Sequence, residues 1–293
     1  MSVLSKNWRY FFLWCAATAA FSVNSSGTVI IAAFTPDGVV IASDGLVVYE
    51  EYVPKPTPHF KRSTAESEPK IVVCNIRFLC ANSGTGLDTS EIEYDFPKSL
   101  PPANAKTGTT VRNYAQLIQD KARITFKEME SILRQSDLSD PETSKSDSFQ
   151  SYLVVGYDGD VLNRCRVEIK IDRVQSKLIY PDIICDTPTE ATKYSQISGN
   201  SELSRKIVTR GTSENKRYGE LVSKAGATTR TLFPDAPPTI QNAIAEVSII
   251  VAMQGQLDPQ YIGGTTRIGV LLRGACKLPI IHSPVDLALG KSR

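Results

Sequence analysis

Histidine is almost missing from this chain. Only His59 and His282 occur in 293 residues, each in a stretch interrupted by prolines. That scarcity excludes a metal centre built on several imidazoles and argues against a Ser-His-Asp triad. The six cysteines contain no Cys-x-x-Cys pair, which removes the zinc-ribbon and dithiol-exchange classes. Neither sign of charge dominates: 33 Lys and Arg stand against 31 Asp and Glu, a net +2. Nothing in that balance favours nucleic acid as a partner. No glycine-rich phosphate loop follows a strand, and strands do not alternate regularly with helices, so a doubly wound nucleotide-binding sheet is excluded. There is no internal repeat. No cofactor and no metal are expected.

The first 27 residues read as a separable leader. Lys6 and Arg9 form a short basic region, Tyr10 to Phe21 is apolar, and residues 21–27 are small and polar. That is the three-part pattern of a secretory signal peptide. The apolar run is shorter than the about 20 residues needed to cross a bilayer, and no stable membrane span is expected in the mature chain. Two cuts fit the small-x-small rule, one before Ala20 and one before Thr28. The competing reading is a propeptide removed by self-cleavage inside the cell. The first reading puts the protein outside the cell or in the periplasm; the second leaves it in the cytoplasm. Five cysteines remain in the mature chain, an odd number. Cys74, Cys165 and Cys185 sit in apolar runs and read as buried small hydrophobes, with one disulfide left open if the chain is exported.

The mature chain divides into a domain over residues 28–278 and a polar tail over 279–293. Residues 28–34 and 39–43 are rich in β-branched side chains and flank Thr35-Pro-Asp-Gly38, a turn sequence. Residues 46–69, with Pro54, Pro56 and Pro58, read as a loop, and residues 84–108 as irregular. A second hairpin spans 70–81. Apolar spacing predicts helices over 110–135, 201–209 and 239–253, and strands over 152–157, 164–171, 177–185 and 263–272. The expected fold is α+β, a four-layer αββα sandwich of two antiparallel sheets flanked by helices.

Chemistry is suggested by what a cut after Gly27 would create. Thr28 would then carry a hydroxyl nucleophile and a free α-amine able to act as its base. Asp44 follows sixteen residues later, Lys70 opens Lys-Ile-Val-Val, and Gly84 lies fourteen residues beyond Lys70 in Ser83-Gly-Thr-Gly-Leu-Asp88. With these in order, the chain resembles the proteasome-type threonine peptidases, the family of proteasome β-subunits and HslV. The Asp44-Gly45 pair is more similar to HslV. Gly156-Tyr-Asp158, Ser198-Gly199 and Gly263-Gly264 are weaker echoes.

The resemblance implies that Thr28 is nucleophile and α-amine base. Lys70 would lower the pKa of that amine by like-charge repulsion, with Asp44 as the partner of Lys70. The Gly84 N–H would face the oxyanion, and Ser198 would help hold the amine. It also implies a peptide or related amide substrate and a homo-oligomeric ring. In that family an acidic residue and then a serine precede the final Gly-Gly. Here Pro259 and Ile262 take those places, with Asp258 one residue from the first. A second reading follows from this departure: a non-catalytic proteasome-like subunit that serves assembly or binding.

Overall fold

Apolar strands with little polar interruption form the centre of the molecule. β2 (Ile30–Thr35) and β3 (Gly38–Ser43) are buried almost throughout, as continuous apolar runs must be when both faces are covered. Their turn is tied by the Thr35 hydroxyl, which donates to the Gly38 carbonyl at 3.0 Å. β14 (Tyr194–Ser198) pairs with β2, β15 (Arg267–Leu272) with β3, and β16 (Ala275–Lys277) with β15, giving the order β14-β2-β3-β15-β16. The second sheet contains β6 (Ile71–Asn75), β7 (Phe78–Gly84), β10 (Ser148–Asp158), β11 (Val161–Asp172) and β12 (Lys177–Ile179). Its order is β12-β11-β10-β7-β6, and β13 (Ile184–Asp186) also pairs with β11. All of these pairings are antiparallel.

Side-chain alternation sorts the core into three clusters. Ile30, Ala32 and Ile41 of the first sheet meet Ile71, Leu79, Ala81 and Leu153 of the second. The other face of the first sheet, with Val29, Ile31, Val40 and Ala42, packs on Ile240, Ile244 and Val247 of α4 (Pro238–Leu257). The other face of the second sheet lies against Val111, Tyr114 and Ile118 of α1 (Val111–Thr125). Full burial of each such side chain contributes about 1.5–3 kcal/mol. α1 begins where its cap requires, with the Thr110 hydroxyl accepting the Asn113 N–H at 3.1 Å. α2 (Ser201–Val208) and α3 (Ser213–Leu232) complete the helices of the described residues.

The computed structural model describes residues 22–23, 28–53, 59–66, 70–75, 77–84, 87–89, 92–93, 100, 109–127, 148–172, 175, 177–189, 193–198, 201–257, 259, 262–273 and 275–277. The 279–293 tail, residues 128–135 of the expected first helix, Asp258, and all of the leader except Ser22 and Val23 lie outside them. The architecture is α+β with antiparallel sheets, and several sequence expectations are corrected. Residues 46–69, expected as a loop, contain β4 (Leu46–Val53) and β5 (His59–Glu66). The expected irregular stretch contains β8 (Leu87–Thr89) and β9 (Ile92–Glu93). With β1 (Ser22–Val23) these build a third antiparallel sheet, β5-β4-β1-β8-β9. The expected strand over 177–185 is two strands, β12 and β13, with Pro181 in the gap between them. α3 carries too thin an apolar stripe to be read as a helix: only Ala225, Gly226 and Thr229 are buried along it.

The cysteine reading is also corrected. Cys74 pairs with Cys80, and Cys165 with Cys185. The first bridge spans the β6–β7 hairpin at its bulge; the second joins directly opposed residues of β11 and β13. An odd total concealed two pairs, because strand register and not chain spacing brings them together. Cys165→Ser is expected to cost about 3 kcal/mol, the entropic value for a loop of this size, since 20 positions separate the partners. Urea unfolding would measure it, and peptide mapping without reductant should recover the two linked peptides.

Candidate active site

The end of β3 meets the start of β2 around one carboxylate. β3 stops at Ser43, and Asp44 donates its N–H to the Val29 carbonyl at 3.3 Å. Its side chain turns back so that Oδ1 accepts the Val29 N–H at 2.9 Å. Val29, the residue after Thr28, is therefore held by Asp44 through both its N–H and its carbonyl. Lys70, at the head of β6, reaches across from the other sheet. Its Nζ donates to Asp44 Oδ1 at 3.0 Å and to the Leu46 carbonyl at 2.7 Å. Asp44 Oδ2 accepts the N–H groups of Leu46 at 3.3 Å and Gly263 at 3.5 Å.

The pair is deeply buried, with side-chain exposures of 10% for Lys70 and 1% for Asp44. Burial raises the Asp44 pKa, opposed by the Lys70 charge and the hydrogen bonds from Val29, Lys70 and Gly263. Burial likewise lowers the Lys70 pKa, opposed by Asp44 and reinforced by Arg267. Both shifts follow from removing charge from water, and the mutual contact opposes each of them.

Glycine is required here by backbone crowding. A Cβ on Gly45 would lie 2.5 Å from the Thr265 carbonyl oxygen, and the Gly45 N–H donates to the Gly263 carbonyl at 2.9 Å. This gives the Asp44-Gly45 and Gly263-Gly264 motifs one shared cause: two backbones in contact beneath Asp44. Gly84 ends β7 with φ +156°, and a Cβ there would come within 2.4 Å of the Phe149 carbonyl. The Asn82 N–H donates to the Lys70 carbonyl at 2.9 Å, so strand alternation directs the Gly84 N–H to the same edge, beyond the head of β6. Gly84→Ala is expected to force the β7–β10 pairing apart, lowering the thermal midpoint by several degrees and removing any activity carried by this edge.

Of the residues singled out from sequence, Thr28, Asp44 and Lys70 converge. Thr28 is 8% exposed and precedes the peptide unit that Asp44 holds. Gly84 lies on the same edge as Lys70. Ser198 pairs with Ile30 across a bulge in β14, which brings its backbone beside β2; its side chain is outside the described residues. Ile262 is buried in the cluster under α4, so that position presents hydrocarbon where the resemblance called for a serine. Arg267 was missed, although it shares parity with Leu271 on β15. Among the described residues, no group of three His, Cys, Asp or Glu could hold a metal ion. No helix there is long and apolar enough to cross a membrane.

No family model matches the chain, and no curated protein matches it. Solved structures do. Anbu (ancestral beta-subunit) from Yersinia bercovieri is similar at 13% identity, over 90% of this chain and 92% of that one, with a TM-score of 0.47. Anbu from Hyphomicrobium sp. strain MC1 is similar at 12% identity, over 90% and 93%, with a TM-score of 0.40. A Gly-1 mutant of Anbu from the same strain gives 9% identity, 86% and 84%, and 0.39. Anbu is proteasome-like but distinct from the proteasome-type threonine peptidases. The expected resemblance to proteasome β-subunits and HslV is corrected accordingly: the solved structures similar to this chain are Anbu.

Proposed function

We propose that this chain is an amide-bond hydrolase whose nucleophile is Thr28 after removal of residues 1–27, carried on a four-layer αββα sandwich. The observation that supports it is the buried Asp44–Lys70 pair, which pins the Val29 N–H next to Thr28 and sets an ammonium group at the same strand ends. In the first step the Thr28 Oγ attacks the substrate carbonyl carbon while the α-amine takes the hydroxyl proton. The negative charge on the carbonyl oxygen falls to the Gly84 N–H. Collapse breaks the C–N bond, and the leaving amine takes the proton back from the α-ammonium. Water then attacks the resulting ester, releasing the acid and restoring the hydroxyl.

A free α-amine titrates at about 7.7 to 8.0, and a neighbouring lysine lowers that value, keeping more of it basic at neutral pH. Ser22 and Val23 of the leader pair antiparallel between β4 and β8, so this sheet takes up an extended segment by β-addition. Two disulfides favour an oxidising compartment and hence the exported reading of the leader.

The second reading, a non-catalytic subunit serving assembly or binding, is favoured by the apolar Ile262. Intact mass and N-terminal sequence of the protein from its native compartment separate the two, combined with hydrolysis of fluorogenic peptide amides. A chain beginning at Thr28 that turns over such amides supports the hydrolase. A chain beginning at Ala20 or Met1 keeps the amine in a peptide bond and puts the non-catalytic reading first.

A further inference from the structure

Arg267 opens β15 opposite Ser43, which in turn lies opposite Ile30, so the three form one row across the first sheet. The parity of β15 fixes which way Arg267 points. Ile268 and Val270 belong to the cluster under α4, whereas Leu271 packs between the sheets with Leu79 and Ala81. Residues 267, 269 and 271 therefore share the inter-sheet face, the face from which Lys70 arrives. Ile30 and Ser43 of the same row are fully buried and Arg267 at its end is half-buried, so the arginine charge is less screened than at an open surface.

We propose that Arg267 is a positioning residue of the Thr28 site, a second cation that acts through Lys70 on the freed threonine amine. The inference rests on the hydrolase reading. Among the described residues, Lys70 is faced by Asp44 from the end of β3, the Leu46 carbonyl from β4, Arg267 from β15 and Thr28 at the head of β2. From β7 comes only the Asn82 N–H to its backbone carbonyl. One of these groups, Asp44, is a carboxylate, and it is Lys70 that contacts it. An arginine does not release its proton at any working pH. The repulsion between Arg267 and Lys70 consequently falls on the amines that can lose a proton, Lys70 and the α-amine. Arg267 already acts on Lys70 in the direction this requires, lowering its pKa. A neutral α-amine relieves the crowding and is the form that accepts the Thr28 hydroxyl proton.

Two measurements test this. The first is a 13C NMR titration of the Lys70 Cε in the full-length chain, assigned with Lys70→Arg. Arg267→Gln should raise the midpoint by about one unit, whereas Arg267→Lys should leave it near the parent value. If Arg267→Gln does not fold, Arg267→His serves, being neutral above pH ~7. A midpoint that is the same with and without the cation overturns the proposal.

The second is kcat/KM against pH for the chain beginning at Thr28, with an uncharged peptide amide. In Arg267→Gln the acid limb should move up by a similar amount and KM should not change, so that activity at neutral pH falls roughly five- to tenfold. Turnover that depends on Thr28 but keeps its acid limb in Arg267→Gln overturns the role of Arg267 alone. Absence of turnover, or Thr28→Ala as active as the parent, overturns the hydrolase reading and this inference with it.

Discussion

Thr28→Ala is expected to lower kcat/KM for peptide amides by at least ~10³-fold, with little change in thermal stability. The substitution removes the attacking oxygen and one methyl group. The peptide unit that Asp44 anchors belongs to Val29 and is untouched, so the strand ends should keep their geometry. Thr28→Ser retains the hydroxyl and should retain measurable turnover. Leaving even one extra residue before Thr28 should be as damaging as the alanine, because an amide nitrogen is not a base. Equal turnover by Thr28→Ala and the parent would remove the catalytic assignment altogether. Folding can be checked independently, by circular dichroism and by the same disulfide map.

Lys70→Met carries the second large effect, on stability. It leaves the Asp44 carboxylate, 1% exposed, without its counter-ion, and breaking one side of a buried pair costs about 3–5 kcal/mol. The backbone N–H groups of Val29, Leu46 and Gly263 still reach it, which holds the loss within that range. Its pH dependence has a definite sign. Burial keeps Asp44 above its ordinary value of 3.8, so at pH just above 3.8 the folded chain binds more protons than the unfolded one. Stability then falls as pH rises through that window. Removing Lys70 raises the Asp44 value further and extends the window upward. The penalty of Lys70→Met should therefore be larger at pH 7 than at pH 4, where a protonated Asp44 needs no cation. Urea denaturation at the two pH values measures this, and a penalty independent of pH would show that Asp44 is not the group left stranded. Asp44→Asn combined with Lys70→Met should recover part of the loss, because neither charge is then buried alone.

Much of the site was legible from order along the chain. Thr28, Asp44 and Lys70 lie at the ends of apolar runs, and strand ends are where polar side chains gather when the runs themselves are buried. The first hairpin was legible because a proline-glycine turn and β-branched flanks are local features, and the second because two short apolar runs flank Asn75-Ile-Arg77. α4 was legible because Pro238 sets its first turn and a long apolar stretch follows. What escaped was non-local. β4 is rich in Val and Tyr, but Pro54, Pro56 and Pro58 behind it read as loop punctuation, and β5 is polar; the two form strands by pairing with each other and, in the case of β4, with Ser22. The two disulfides escaped because Cys165 and Cys185 are opposed only through the β11–β13 register.

From the sequence alone, the α+β class and the main hairpins were determined, because periodicity and turn chemistry act over a few residues. Only the tertiary structure decided that Asp44 and Lys70 meet from different sheets, that four cysteines pair, and that Arg267 faces the same site. Those outcomes depend on strand register and sheet stacking. Shifting a strand by one residue would turn Arg267 to the helix side without changing any local preference in its sequence.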